Sequence, residues 1–232
     1  MITTISFIKY SLNKFWAFKQ MNESHKYFSN NKNITFYKLL GTGAGNGFLF
    51  PDLSTYAVLV VWNSKKNADE FLTKSTHSLI VEKKAQSRTD FYLKTIQTHG
   101  LWDNQNPFKS SIVDYDKDDK IAIITRGKIK LSKQIDFWLN VPKASNAIKV
   151  AEGVEFYKGI GELPLMAQAT FSIWKNIDAV KNFAYKSKAH ADIIKKTKQR
   201  NWYSEDMFTR FIITDKVDKY YKWKKQLLLD QV

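Results

Sequence analysis

Apolar and polar side chains alternate along Met1-Ile2-Thr3-Thr4-Ile5-Ser6-Phe7, and this period of two predicts a strand over Thr3–Ile8 with one face buried. From about Asn13 to Phe28 the period changes, because Phe15, Phe18, Met21 and Phe28 recur at helical spacing. A strand is expected at Thr35–Leu40, then a glycine-rich connection from Gly41 to Asp52, then a strand at Thr55–Trp62. Helical stretches follow at Lys66–Thr73 and His77–Ala85, and a strand at Asp90–Gln97. The second half reads in the same order. It has a strand at Lys120–Arg126, a helix from Ser132 to about Val150 interrupted near Pro142, and strands at Val154–Gly159 and Ala167–Trp174. Helices at Asp178–Lys186 and Ala189–Arg200 and a strand at Asp206–Thr214 complete it.

The halves also share motifs. Phe36-Tyr37-Lys38 returns as Phe156-Tyr157-Lys158, and each copy is followed by an apolar run ending in tryptophan, at Trp62 and at Trp174. A helical pattern then places Phe71 and Phe183 nine residues further on. Such self-similarity predicts an internal repeat. Each half reads β-α-β-β-α-β, the ferredoxin-like order, whose antiparallel sheet has one helix-covered face and one bare face. The expected fold class is therefore α+β. Two tandem ferredoxin-like repeats would pack sheet to sheet within one chain, as a dimeric α+β barrel does with two. The expected units are residues 1–100, a linker at 101–119, residues 120–215 and a basic aromatic tail at 216–232.

Composition narrows the class. The chain has 232 residues, 44% of them hydrophobic, and no apolar run approaches the roughly 20 residues that span a bilayer. No leader pattern opens it, so a cytoplasmic protein, at most peripheral at a membrane, is expected. The absence of cysteine excludes disulfides, thiolate metal sites and a cysteine nucleophile. A net charge of +15 attracts nucleic acid, anionic lipid or acidic proteins. The lysines are spread rather than clustered, except in Lys186–Arg200 and in the tail from Lys216 to Lys225, so no specific nucleic-acid site is expected. The tail reads as a solvated helix or an interfacial one.

Few residues carry obvious chemistry. The run Gly41-Thr42-Gly43-Ala44-Gly45-Asn46-Gly47 leads into another strand and not into a helix, which excludes a dinucleotide fingerprint. The four histidines, His25, His77, His99 and His190, show no metal-ligand spacing. His190 shares a helix face with Ile193, Ile194 and Thr197. A histidine there is either a core residue bonded to a backbone carbonyl or a functional group. His77 has a similar claim through Ile80 and Val81. Arg126 ends an otherwise apolar strand and either emerges at the rim or holds a carboxylate at the mouth of a cavity. Gln168 and Glu162 flank the strand of Trp174. Arg126 and Gln168 are the candidate catalytic residues.

Several stretches point further: Phe15-Trp16-Ala17-Phe18-Lys19-Gln20-Met21, the run from Phe36 to Phe48, and Phe156-Tyr157-Lys158-Gly159-Ile160-Gly161-Glu162-Leu163-Pro164. Gln168-Ala169-Thr170-Phe171-Ser172-Ile173-Trp174 and His190 through Trp202 to Phe211 complete the set. Together, over roughly residues 3 to 214, they resemble the spheroidene monooxygenase family of carotenoid biosynthesis. The resemblance implies a haem-dependent monooxygenase that inserts oxygen at C2 of an acyclic carotenoid, using molecular oxygen and electrons from a ferredoxin. It implies His190 as the axial ligand of the haem iron, with Trp202 beside the cofactor, and an apolar polyene as substrate. Two alternatives stand beside it. One is a cofactor-free binding protein on the same barrel, with His190 a core residue; the other is a haem protein of another activity, such as a peroxidase or a dehydratase.

Overall fold

A computed structural model describes residues 1–45, 50–110, 114–163, 167–186, 195–197 and 199–221. Its strands are β1 (Ile2–Lys9), β2 (Ile34–Gly43), β3 (Pro51–Trp62), β4 (Ser87–Gly100), β5 (Ile121–Ile129), β6 (Val154–Leu163), β7 (Ala167–Trp174) and β8 (Tyr203–Tyr220). Helices α1 (Lys14–Glu23) and α2 (His25–Phe28) join β1 to β2, while α3 (Lys65–Lys74) and α4 (Thr76–Lys84) join β3 to β4. A 3₁₀ turn at Leu131–Lys133 leads into α5 (Gln134–Lys149), and α6 (Ile177–Lys186) follows β7. Helix α5 runs unbroken through position 142, where an interruption was expected.

The strands form one closed barrel in the order β1-β3-β2-β6-β7-β5-β8-β4, every neighbouring pair antiparallel. This corrects the expected fold class. There are not two ferredoxin-like units stacked by their bare faces, and the repeated motifs do not mark separate modules. The halves share one continuous sheet, joined edge to edge at two seams. At one, Gly41 and Thr42 of β2 pair with Gly161 and Ile160 of β6. At the other, β4 pairs with β8 from Ser87↔Tyr220 to Gly100↔Met207. The physical reason lies in the edges. Stacked open sheets leave a row of unpaired N–H and C=O groups on every outer strand, and closure gives each outer strand a neighbour, over two residue pairs at the β2–β6 seam and along most of β4 at the β4–β8 seam. The long seam also takes up the start of the expected tail, since residues 216–220 extend β8 and pair with Phe91 to Ser87.

The interior of the barrel is filled with side chains. Ile5, Phe7, Leu40, Leu59, Leu93, Ile124, Phe171 and Phe211 are among those that point inward and are buried. The segment after β4 adds to this core: Trp102 and Phe108 are fully buried within it. Outside the barrel, α1–α4 cover the first half over Val58, Val60 and Trp62, and α6 covers Ile121, Ile123 and Trp174 of the second. Both tryptophans bury a donor that finds an acceptor. Trp62 Nε1 donates to Thr4 Oγ1 at 2.8 Å, and Trp174 Nε1 to Ser172 Oγ at 3.0 Å. The serines that open α3 and α4 cap them: Ser64 Oγ accepts from Asn67 N, and Ser75 Oγ from Ser78 N.

Candidate binding cleft

Between the outer face of the first-half strands and the helices above them lie two small adjoining cavities of about 10 and 20 Å³, each with room for about one water molecule. Ile8, Val58 and His77 line both. Strand alternation supplies the floor, because residues of β1 and β3 that do not face the lumen face the helices. Ala17 and Met21 of α1, Ser24 just after it, Leu39, Tyr10 and Tyr56 enclose one cavity; Phe28, Trp62, Phe71, Leu72 and Arg88 enclose the other.

The polar groups of this region fall into two kinds. The first kind is fully committed. Arg88 and Asp90 are buried and paired at 2.9 Å, and Arg88 also donates to Ser78 Oγ and to the Leu72 carbonyl, each at 2.6 Å. Ser6 Oγ donates to the second Asp90 oxygen at 2.6 Å. A buried ion pair is tolerable only when its remaining donors and acceptors are met in this way. The second kind is open. The Tyr56 hydroxyl is buried and has no hydrogen-bond partner among the described residues. Burial, with the negative charge of Asp52, pushes its ionisation upward, so at neutral pH it stands as a neutral phenol able to donate and to accept. His77 is pushed down to about 4, first by burial and then by the nearby Arg88 cation. It is therefore neutral at pH 7, held among Phe28, Phe71 and Tyr27. A small gap with an unanswered hydroxyl and a neutral imidazole beside it offers one hydrogen-bonding position to a group that enters between α1 and the sheet.

The expected catalytic residues lie elsewhere and apart from each other. Arg126 has the same strand parity as Ala122 and Ile124 and points into one end of the barrel, whereas Gln168 lies between the inward residues Ala167 and Ala169 and leaves the opposite face. Arg126 is 2% exposed and already saturated by carboxylates of its own chain. It donates to Glu162 Oε1 at 3.3 Å and to Glu205, lies 3.6 Å from Asp103, and rests over the Trp102 ring at 5.0 Å. Lys38 bonds Glu162 at 2.6 Å and Asp103. The backbone N–H groups of Asp103 and Asn104 donate to Glu205. Burial would raise the Glu205 carboxyl, but the Asn104 N–H and Arg126 outweigh it and hold the group below its usual range. The cluster ties the 100–108 segment across the barrel end and leaves Arg126 no fork for a ligand carboxylate.

Trp202 is buried, with its N–H donated to Asp136 Oδ2 at 2.7 Å and its ring edge-on to Phe137, so it anchors α5. His190 lies outside the described residues. The signals that reading from sequence passed over are Tyr56, which looks like any strand tyrosine, and Arg88-Thr89-Asp90. In that tripeptide, two opposite charges on one strand face announce a buried pair.

These observations correct the haem-dependent oxygenase. Among the described residues no group of His, Asp and Glu converges where it could hold a metal, and the chain has no cysteine. Of the described histidines, His25 Nδ1 is 3.0 Å from the Tyr37 hydroxyl, His77 packs among aromatic rings outside the barrel, and the exposed His99 stacks on Phe208. The barrel is packed solid, and the Trp202 indole is held by Asp136. None of the described residues fits a haem, so among them the expected haem, iron and monooxygenase mechanism find no support; the expected ligand His190 lies outside those residues.

Fold and cleft together define an α+β barrel with a helix-roofed apolar site. No family model matches the chain. It is 28% identical over 200 residues to the spheroidene monooxygenase of Rhodobacter capsulatus, covering 84% of this chain and 82% of that protein. To the spheroidene monooxygenase of Rubrivivax gelatinosus it is 30% identical over 178 residues, 76% of this chain and 68% of the relative. A crystal structure of aldoxime dehydratase superposes with a TM-score of 0.63 at 11% identity, covering 95% of this chain and 84% of that one, which is a likeness of fold alone. The chain belongs to the family of proteins named spheroidene monooxygenase. Among its described residues no helix is long and apolar enough to cross a membrane.

Proposed function

We propose that this chain is a cofactor-free α+β-barrel binding protein that takes an elongated apolar ligand beneath α1–α4. The ligand class follows from the relatives, whose name points to spheroidene, an acyclic polyene. The observation that carries the reading is the Tyr56 hydroxyl: a buried polar group left without a partner is unfavourable by about 1–3 kcal/mol, and a ligand that answers it recovers that energy. The closed, filled barrel supports a ligand outside the lumen; Ile8, Leu39 and Val58 are buried under α1, so an elongated ligand enters as α1 lifts from the sheet.

Equilibrium titration of haem-free protein with an acyclic polyene bearing one oxygen function, followed by the absorption of the polyene and by tryptophan fluorescence, tests this. Saturable 1:1 binding is expected. Tyr56→Phe should weaken it about two- to twelve-fold, the worth of one hydrogen bond. Met21→Trp, which fills the α1 side of the cleft, should abolish it while leaving the thermal midpoint within a few degrees. Binding that appears only after haem is supplied, or that ignores both substitutions, overturns the reading.

A further inference from the structure

Helix α1 carries apolar side chains on both of its faces. Inward it seats Ala17 with Trp16 and Met21 beside it; outward Phe15 is 74% and Phe18 59% exposed, and Leu12, just ahead of the helix, is 77% exposed. Half of its ten residues are polar, so Phe15 and Phe18, three residues apart, form an exposed aromatic stripe set among charged side chains. The neighbouring chain enlarges the patch. Strand β1 ends at Lys9 beside Thr55, and the Tyr10 N–H donates to the Ser54 carbonyl at 2.7 Å. Leu12 therefore emerges at the end of the barrel where Phe50 and Leu53 are also exposed.

Lysines surround these side chains. Lys9, Lys14, Lys19 and Lys26 are exposed, as are Lys83 and Lys84 at the end of α4. The Asn13 amide donates to the Lys84 carbonyl and so fixes α4 beside the start of α1. The acidic residues here are Glu23, which accepts from the Gln20 amide, Glu82, and Asp52 beside Leu53, which accepts from Ser54 and lies 3.4 Å from Lys158. Lys19 lies 5.1 Å over the Phe15 ring and Lys26 5.2 Å over Tyr27, so ammonium groups and rings share one surface. Strand β8 ends on the same rim. Tyr221 N–H donates to Gln86 O and Gln86 N–H to Lys9 O.

We propose that this face, with Leu12, Phe15, Phe18 and Leu53 at its centre and lysines around it, docks on an anionic membrane surface. Charge complementarity selects that occupant. Exposed aromatic side chains insert at the boundary of headgroup and acyl chain, and each lysine near an anionic leaflet adds attraction. The net charge of +15 draws the whole molecule in the same direction. The proposal is independent of what the cleft holds.

Co-sedimentation with vesicles of phosphatidylcholine alone, and of phosphatidylcholine with about a third phosphatidylserine, tests it. Binding should be at least about tenfold stronger to the anionic vesicles, and should fall several-fold as salt rises from about 0.1 M to about 1 M and the screening length shrinks. The double variant Phe15→Ser/Phe18→Ser should lower the partition coefficient at least about tenfold. Its circular dichroism and thermal midpoint should match those of the parent, since both rings are exposed. Leu131→Ser/Ile135→Ser, at exposed aliphatic positions of α5 and the turn before it, should bind as the parent does. Three results would overturn the proposal: a parent protein that sediments equally with both vesicles, a Phe15/Phe18 variant that sediments like the parent, or loss of binding only in the α5 variant. Sedimentation velocity showing a dimer that the Phe15/Phe18 variant dissolves would give the face to a second copy of this chain, and would overturn it too.

Discussion

Replacing Arg126 by methionine removes the one cation that sits between Glu162 and Glu205 at the barrel end. Methionine keeps the apolar stem and ends about where Arg126 Nε stands, so the change removes the charge, its hydrogen bonds and the guanidinium stack on Trp102 together. Breaking a buried pair by deleting one partner costs about 3–5 kcal/mol, and a desolvated cation over an aromatic ring contributes up to about 2 more. The guanidinium is 2% exposed and merits the full figure, but its partners are not: Glu205 is 11%, Glu162 19% and Asp103 45% exposed, so they regain hydration when it leaves. A net loss of about 3–4 kcal/mol follows. For a chain of this size each kcal/mol lowers the midpoint by about 2–4 °C, which places the variant about 6–16 °C below the parent in a calorimetric scan at pH 7. Acid sensitivity should change as well. Glu205 is held below its usual range in the folded state, so it contributes stability that is present above the unfolded carboxylate value and lost as pH falls through the folded one. The variant should lose the part of that dependence that Arg126 supplies and keep the part held by the Asp103 and Asn104 N–H groups, so Glu205→Gln should cost less in the variant than in the parent. A drop of less than about 1 kcal/mol, about 3 °C, with the acid dependence intact, would refute the view that Arg126 is a lock.

Gly100→Ala should destabilise by more than about 2 kcal/mol, because φ is +82° and an added Cβ would meet the Asp206 carbonyl oxygen at 2.2 Å; a thermal melt within a few degrees of the parent would contradict this. His77 is pushed down to about 4 in the folded protein against 6.5 for a free imidazole, so unfolded chains bind the proton first. The stability of the parent should thus be full above pH 6.5 and fall by about 3 kcal/mol between there and pH 4, a slope that His77→Gln lacks; equal slopes in urea titrations of the two proteins would reject the buried neutral imidazole. Ser64→Ala and Ser75→Ala remove the caps of α3 and α4 and should each lower stability by about 1 kcal/mol, read from the urea midpoint; no change would mean that the caps are not formed in solution.

Much of the wall of the barrel was legible. The alternation in Ile2–Ile8 and the apolar runs ending at Trp62 and Trp174 give strands where strands occur, and Phe15 to Phe28 contains α1 and α2. Closure was not legible. It depends on backbone pairing between Gly41 and Gly161, and between Ser87–Gly100 and Met207–Tyr220, residues far apart whose side chains say nothing about which edges meet. The same blindness turned Lys216–Tyr220 into a helix, since alternating charge on a strand end looks like a solvated helix face. Arg126 was recognisable as a charge ending an apolar strand. Its saturation was not, because Glu162, Glu205 and Asp103 come from three separate segments. Tyr56 gave no signal, as an unpartnered hydroxyl exists only once the surrounding walls are in place.

The most direct test is a crystal structure of the haem-free protein grown with an acyclic polyene that carries one oxygen function. The account predicts elongated density between α1 and the outer face of β1 and β3, with the ligand oxygen at hydrogen-bond distance from the Tyr56 hydroxyl and the barrel interior unchanged. Ligand density inside the barrel or over the second-half helices, with Tyr56 still unpartnered, would contradict it.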